Sequence, residues 1–435
     1  MINTIAGAPV LQKLYRLISA NPTLILLDQG VVSLASFASM AILGRSCGSE
    51  ELGIYGIAFT MLWLLTSFSN SVIWIPFTMK VPMIKGNRRQ RLQGSVLVHV
   101  ACFLILIILP AACLTLYLGD RAFYNLIAFY VFFAGMILRE HARRVSMALH
   151  QFKRLLLIDV PSSVLQVIAL LMVSWSDHLS ARVTMVCIGI ISGIAFLISH
   201  LFDDAKMPSR KRAYLDFIRC WDLGKWLVGV SITGSFSELV IRFMIISLLG
   251  LSAQGRFTAS FSLPNFANPV VITYTNYLRI TMASRFATGG KRSVFLLLFR
   301  SVPVFLMISI GLFGSIAFFG EWAAAAVFGM QFADLGHLIA WNCLSALVSA
   351  MTLPLEAALL SLGRGKDLFL SSVGRIGCTL CLGIPLIYGF ELPGASILAA
   401  IGFLAVAIIQ SVYLLRQFTT VQSTHSDDVE AEPIQ

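Results

Sequence analysis

Glu238 and Arg242 stand four residues apart in a run that is otherwise apolar. On a helix that spacing puts both on one face. Charges in hydrocarbon are costly and face a bundle interior or a wet cavity. Two readings are open: a structural pair that neutralises itself, or a cavity wall whose arginine serves an anionic substrate. A guanidinium suits the second role, because its fork binds phosphate bidentately and stays ionised. Asp28, beside Gln29 and about two turns into the first apolar run, is a second buried polar point. It is either a counter-ion for an arginine or a proton or cation site. Arg375 lies inside the eleventh apolar run, while Arg279 near the end of the eighth, like Arg300, can snorkel to the interface. Asn265, Asn268, Tyr274 and Asn276 surround Pro264 and Pro269. Proline removes a backbone donor and opens a helix. These side chains therefore either bind sugar hydroxyls or satisfy the opened backbone. Glu356, two residues after Pro354, is a candidate of the same kind.

Other chemistry is excluded. Gly289-Gly290-Lys291 is not a phosphate loop, since position 285 is Arg where the upstream glycine should stand. No H-E-x-x-H or G-x-S-x-G occurs. Of seven His, only His99 lies well inside an apolar run, too few for a metal cluster. Cys378 and Cys381 form a C-x-x-C, but inside an apolar run, with no second pair and no βαβ context. No catalytic residue, metal ligand or cofactor is expected. A polysaccharide polymerase or lipid–sugar transferase would carry a sizeable outer loop with acidic or arginine residues, and the loops on that side are short.

The elements that must position these residues follow from composition. Of 435 residues, 57% are hydrophobic and 12% charged, where a soluble domain carries roughly 25% charged residues. Twelve spanning helices of about 20 residues each fit such a chain. The apolar runs are about 22–44, 52–77, 94–118, 122–138, 155–175, 183–202, 226–249, 257–282, 294–318, 335–360, 367–388 and 395–415. The reading is an all-α polytopic membrane protein, with about 12 transmembrane helices in two six-helix lobes around a central cavity. The lobes are expected at 1–202 and 226–418, joined by a basic linker at 203–225, with a disordered polar tail at 419–435. Residues 1–20 show no removable signal peptide.

The net charge of +11 is mostly topology. Lys13 and Arg16, the cluster Lys80–Arg91, Arg139, Arg143 and Arg144, Lys206 with Arg210–Arg212, Lys291 with Arg292, and Arg364 with Lys366 all fall on one side. Arg45, Arg121, Arg182 and Arg256 fall on the other. Basic loops stay in the cytoplasm, which puts both termini there. No nucleic-acid-binding motif is present, so that class of partner is excluded.

A faint repeat is visible. Leu43-Gly44-Arg45-Ser46 with Gly53-Ile54-Tyr55 matches Leu249-Gly250-Leu251-Ser252 with Gly255-Arg256-Phe257, and Leu149–Lys153 matches Leu362–Lys366. Both matches are offset by six helices, which implies parallel repeats with a substrate path between them. The turn Gly44-Arg45-Ser46-Cys47-Gly48-Ser49-Glu50-Glu51-Leu52-Gly53-Ile54-Tyr55 is similar to the R-x-x-G-x-x-E/D-x-G-x-Y pattern of the Wzx-type O-antigen and exopolysaccharide flippases, a branch of the multidrug/oligosaccharidyl-lipid/polysaccharide superfamily. Arg143-Arg144 through Phe152-Lys153-Arg154 resembles the same family's segment between helices four and five. At 435 residues the chain is somewhat short for that family.

The resemblance implies inner-membrane translocation of an undecaprenyl-pyrophosphate-linked oligosaccharide by alternating access, for export of a surface polysaccharide. Helices one and seven would line the cavity. It implies membrane lipids, a polysaccharide polymerase and chain-length proteins as partners. An ion gradient (H+ or Na+) or removal of the product by polymerisation would supply the energy. A drug or cation antiporter of the same superfamily is the rival reading, kept alive by Asp28 and Glu238.

Overall fold

The computed structural model describes residues 21–430 apart from 82, 83, 85, 119 and 204. Lys13 and Arg16 lie outside the described residues, as does the end of the tail from 431. The described chain is helical throughout and contains no strand. Helix Asn21–Ser69 breaks at Gly48 (φ 85°), giving α1 (21–47) and α2 (49–69). A π-helical stretch Asn70–Trp74 and the helix Ile75–Lys80 continue α2. Then come α3 (Asn87–Leu118), α4 (Asp120–Ala148), α5 (Phe152–Trp175), α6 (Ala181–His200) and α7 (Arg210–Leu249). Helix α8 begins as Leu251–Ser262, passes through the 3-10 stretch Pro264–Ala267 and resumes at Asn268. It ends at Gly289 and Gly290, where α9 (291–328) takes over. Gly336–Ser361 is α10, and Glu391 divides Gly365–Glu430 into α11 (365–390) and α12 (392–430).

Among the described residues, eight helical stretches are long and apolar enough to cross a membrane. Two of them, Leu27–Thr78 and Gly365–Phe418, have 52 and 54 residues, room for two crossings at about 20 residues each. The runs expected at 122–138 and 257–282 are not among the eight. Helix α4 carries its charges inside the helix, and α8 is interrupted after Ser262, where Pro264 and Pro269 predicted a break. The last helix runs to Glu430.

The contacts divide the chain into two compact units. One comprises the chain up to Ser46 with Ser69–Gly224; the other comprises Cys47–Phe68 with everything from Lys225 on. The segment expected as a linker is helical from Arg210, and all of it up to Gly224 belongs to the first unit. There Ala213 and Cys220 are buried. In the same unit Gln166 Nε2 donates to Ser39 Oγ at 2.7 Å, tying α5 to α1, and Trp74 is fully buried.

The second unit holds two apolar clusters. Ile241 and Ile245 of α7 pack with Phe257 of α8 and with Ile387, Ala395 and Leu398. Leu278, Met282, Val294, Phe295 and Leu298 pack with Ala357–Leu359, Leu368 and Leu414. The segment 47–68 joins this unit by a close fit to α8. A Cβ on Gly255 would stand 1.7 Å from Ser49 O, and one on Gly53 would stand 2.5 Å from Leu251 O. Only glycine lets the two backbones approach this closely. Ser49 and Ser252 share a hydroxyl hydrogen bond of 2.6 Å beside the contact.

The repeat is written in the backbone. Gly48 (φ 85°, ψ −172°) and Gly250 (φ 90°, ψ 175°) take the same left-handed conformation, each immediately before a helix. The equivalent of Gly250 is therefore Gly48 and not Gly44, and on that register Gly53 still matches Gly255. The other match holds residue for residue. Gln151 N donates to Ser146 O and His150 N to Met147 O, as Arg364 N donates to Leu359 O and Gly363 N to Leu360 O. These are two Schellman caps, with His150 and Gly363 at φ 58° and 71°.

Candidate functional site

In the first unit, buried charges form a closed set. Asp28, on α1, accepts from Arg143 Nη2 at 2.9 Å. Arg143 also donates from Nε to Asp159 Oδ2 at 2.6 Å and from Nη1 to Glu140 at 2.9 Å. Arg139 donates to Asp159 Oδ1 at 2.9 Å and to Ser163 Oγ at 3.1 Å. Arg144 donates to Glu140 at 2.7 Å and lies over the Trp74 ring, 6.0 Å from its centroid. Asp28 and Asp159 are wholly buried, and Arg139 and Arg143 nearly so. Three carboxylates face three guanidinium groups, so the set is neutral. Isolated burial of any one would cost several kcal/mol.

Asp28 is thus the counter-ion of Arg143, the first of the two roles open to it. Asp159 was not singled out from the sequence; its only signal is an acid inside an apolar run, two residues before Pro161. Arg139 and Arg143 are not loop anchors, because α4 carries them inside the helix to Ala148.

The second unit holds its charges differently. Glu238 does not close on Arg242; its carboxylate accepts from Arg375 Nη2 of α11. The Arg375 guanidinium also lies 3.8 Å from the centroid of the Phe403 ring. Arg279, expected to snorkel alone, pairs with Glu356 at 2.6 Å. Arg242 remains, buried to 6% exposure. Its Nη1 donates to Thr258 Oγ1 at 3.2 Å, and its guanidinium carbon sits 5.6 Å and 5.4 Å from the centroids of Phe257 and Phe261. Among the described residues no carboxylate lies within ion-pair distance of it, and its buried Nε has no hydrogen-bond partner. Two aromatic faces offer a cation quadrupole attraction without neutralising it. The site therefore keeps a positive charge and unused donors in a fork suited to a phosphate.

The remaining predicted residues make contacts within the second unit and in the turn after α1. Asn268 Nδ2 donates to Asn265 Oδ1 at 3.0 Å. Tyr274 OH donates to Ser301 O at 3.4 Å, and its ring stacks on Phe305 at 5.0 Å. In the turn after α1, Tyr55 is buried, Arg45 is exposed, and Gly48 and Gly53 supply the turn and the close approach described above. Among the described residues no group of three His, Cys, Asp or Glu is placed to hold a metal ion.

No protein-family model matches the sequence, and no curated protein does. Solved structures do. An inward-facing multidrug resistance MATE family transporter of the MOP superfamily superposes with a TM-score of 0.73 at 14% identity, over 90% of this chain and 96% of that one. The fold is that of the MOP superfamily transporters. The lipid II flippase MurJ, in an inward closed conformation, gives a TM-score of 0.68 at 13% identity, over 90% and 87% of the two chains. A MOP superfamily transporter from Pyrococcus furiosus, described by a binding pocket of reversed polarity, gives 0.59 at 11% identity, over 92% and 95%. With its long apolar helices, the chain is accordingly a multi-pass membrane protein with this fold.

Proposed function

We propose that this chain translocates a polyprenyl-pyrophosphate-linked oligosaccharide across the bacterial inner membrane by alternating access, as a Wzx-type flippase serving surface-polysaccharide export. The observation that carries the reading is Arg242, a buried guanidinium with no carboxylate partner among the described residues. An anionic pyrophosphate would supply the missing charge and take up the unused donors. Phe257 and Phe261, which flank the guanidinium, would have to give way for the headgroup to enter.

A cation antiporter on the same fold would present an acid to its cargo. Here Asp28 and Glu238 are each engaged by an arginine, which weighs against that reading. The lipid II flippase among the structural neighbours supports a lipid-linked cargo. A polysaccharide polymerase would then receive the product.

Arg242→Ala is expected to abolish polymer export while the protein still inserts, and Arg242→Lys to restore it in part. The measurement is the lipid-linked sugar of cells carrying each variant, with complete repeat units accumulating on the cytoplasmic leaflet. Normal polymer output from the alanine variant would falsify the anionic-cargo reading.

A further inference from the structure

The start of α7 packs across α3 within the first unit. Lys206 N donates to Gln90 O at 3.1 Å. His99 Nε2 donates to Ala213 O at 2.9 Å, and Ser95 Oγ donates to Asp216 Oδ2 at 2.9 Å. Lys80 Nζ reaches Cys220 Sγ at 3.8 Å. The first turns of α3, residues 87–93, are polar, and its apolar run begins near 94. Ser95 and His99 stand at the start of that apolar run, and residues 210–221 cross α3 beside them.

The packed side of this segment is Ala213, Asp216 and Cys220; Phe217, 37% exposed, lies at its border, edge-on to His99 at 5.6 Å and stacked on Trp221 at 6.5 Å. On the other side Tyr214, Ile218 and Trp221 recur at i, i+4 and i+7 and are 65%, 39% and 41% exposed. Leu215 stands beside them, also exposed. Arg210, Lys211, Arg212 and Arg219 supply the charge, and Asp216, the one acid between Arg210 and Trp221, is turned inward to Ser95. A contiguous aromatic and aliphatic stripe is out of place in bulk water. Tyrosine and tryptophan favour the membrane interface, and a basic edge beside them is what an in-plane helix presents to anionic lipid.

We propose that residues 210–221 form a binding site for anionic phospholipid in the leaflet next to the basic loops. Arg210, Lys211, Arg212 and Arg219 take the phosphates, and Tyr214, Ile218 and Trp221 seat at the top of the acyl chains. The inference stands on the first unit alone and does not depend on what is transported.

The test titrates the detergent-purified full chain with phosphatidylglycerol or phosphatidylcholine and counts bound lipids by native mass spectrometry. Wild type is expected to prefer phosphatidylglycerol. One basic residue near an anionic surface is worth about fivefold in binding. Replacing Arg210, Lys211, Arg212 and Arg219 together by Gln is therefore expected to lower phosphatidylglycerol affinity by more than about tenfold, with phosphatidylcholine unchanged. Tyr214→Ala with Trp221→Ala weakens both lipids alike. Arg88→Gln with Arg91→Gln, at the exposed start of α3, leaves the preference intact. Where the fourfold variant cannot be purified, Arg219→Gln alone is expected to lose about fivefold. A wild type without preference, or a fourfold variant that keeps it, overturns the proposal. So does displacement of phosphatidylglycerol by inorganic phosphate but not by chloride at equal ionic strength, which would mark a free-anion site.

Discussion

Arg143 and Arg242 are both buried arginines on long helices, 9% and 6% exposed. Arg143 touches three carboxylates, those of Asp28, Glu140 and Asp159. Arg242 touches a threonine hydroxyl and two phenyl rings. Among the described residues, the first unit thus pairs these buried charges with one another, while in the second Arg242 has no carboxylate within ion-pair distance. A neutral network is a structural seam, because removing a member strands its partners. A buried guanidinium with no carboxylate at ion-pair distance is a standing cost to the fold.

Several substitutions would break or sharpen this contrast. The largest effect is expected from Asp159→Ala, which strands Arg139 and Arg143 and should destabilise the protein by about 3–5 kcal/mol. The thermal midpoint of the purified protein reads it, and a loss below about 1 kcal/mol would mean that the network holds nothing together. The second unit relies instead on backbone fit. Gly255→Ala pushes a methyl into Ser49 O and should cost about 1–3 kcal/mol in the same assay. Next comes the pair Glu238 and Arg375. A double-mutant cycle with Gln at each position should return a coupling of about 1 kcal/mol, whereas a cycle between Glu238 and Arg242 should return less. A larger value for the second cycle would reinstate the pair suggested by the i,i+4 spacing. The smallest effect on stability is expected from Arg242→Leu, within about 0.5 kcal/mol of wild type or slightly stabilising. A fall of several degrees in its midpoint would show that Arg242 has a structural partner after all.

The apolar runs were legible because hydrocarbon demands long stretches without charge, and the break at Pro264 because proline cannot donate. The individual charges were harder to place. Arg139 and Arg143 read as loop residues because an apolar run ends at its first charge, whereas the α4 helix, its charges neutralised by Asp28, Glu140 and Asp159, continues to Ala148. Glu238 was assigned to its nearest basic neighbour in sequence, but its partner stands 137 residues away on α11. Spacing along one helix fixes which residues share a face and says nothing about which neighbouring helix faces them. The repeat was found on glycine identity, which chose Gly44; backbone conformation chooses Gly48.

The paired Schellman caps carry a historical consequence. His150 occupies the left-handed position that Gly363 fills, although a β-carbon there costs roughly 1–2 kcal/mol. A side chain tolerated where glycine would be easier is what tandem duplication followed by drift leaves behind. The interval from Gly48 to His150 is shorter than that from Gly250 to Gly363 by about three helical turns. A change of that size lengthens a copy without rotating its faces. Each copy could then lose or gain charges independently, so that one descendant set its arginines against acids while its sibling set one between aromatic rings.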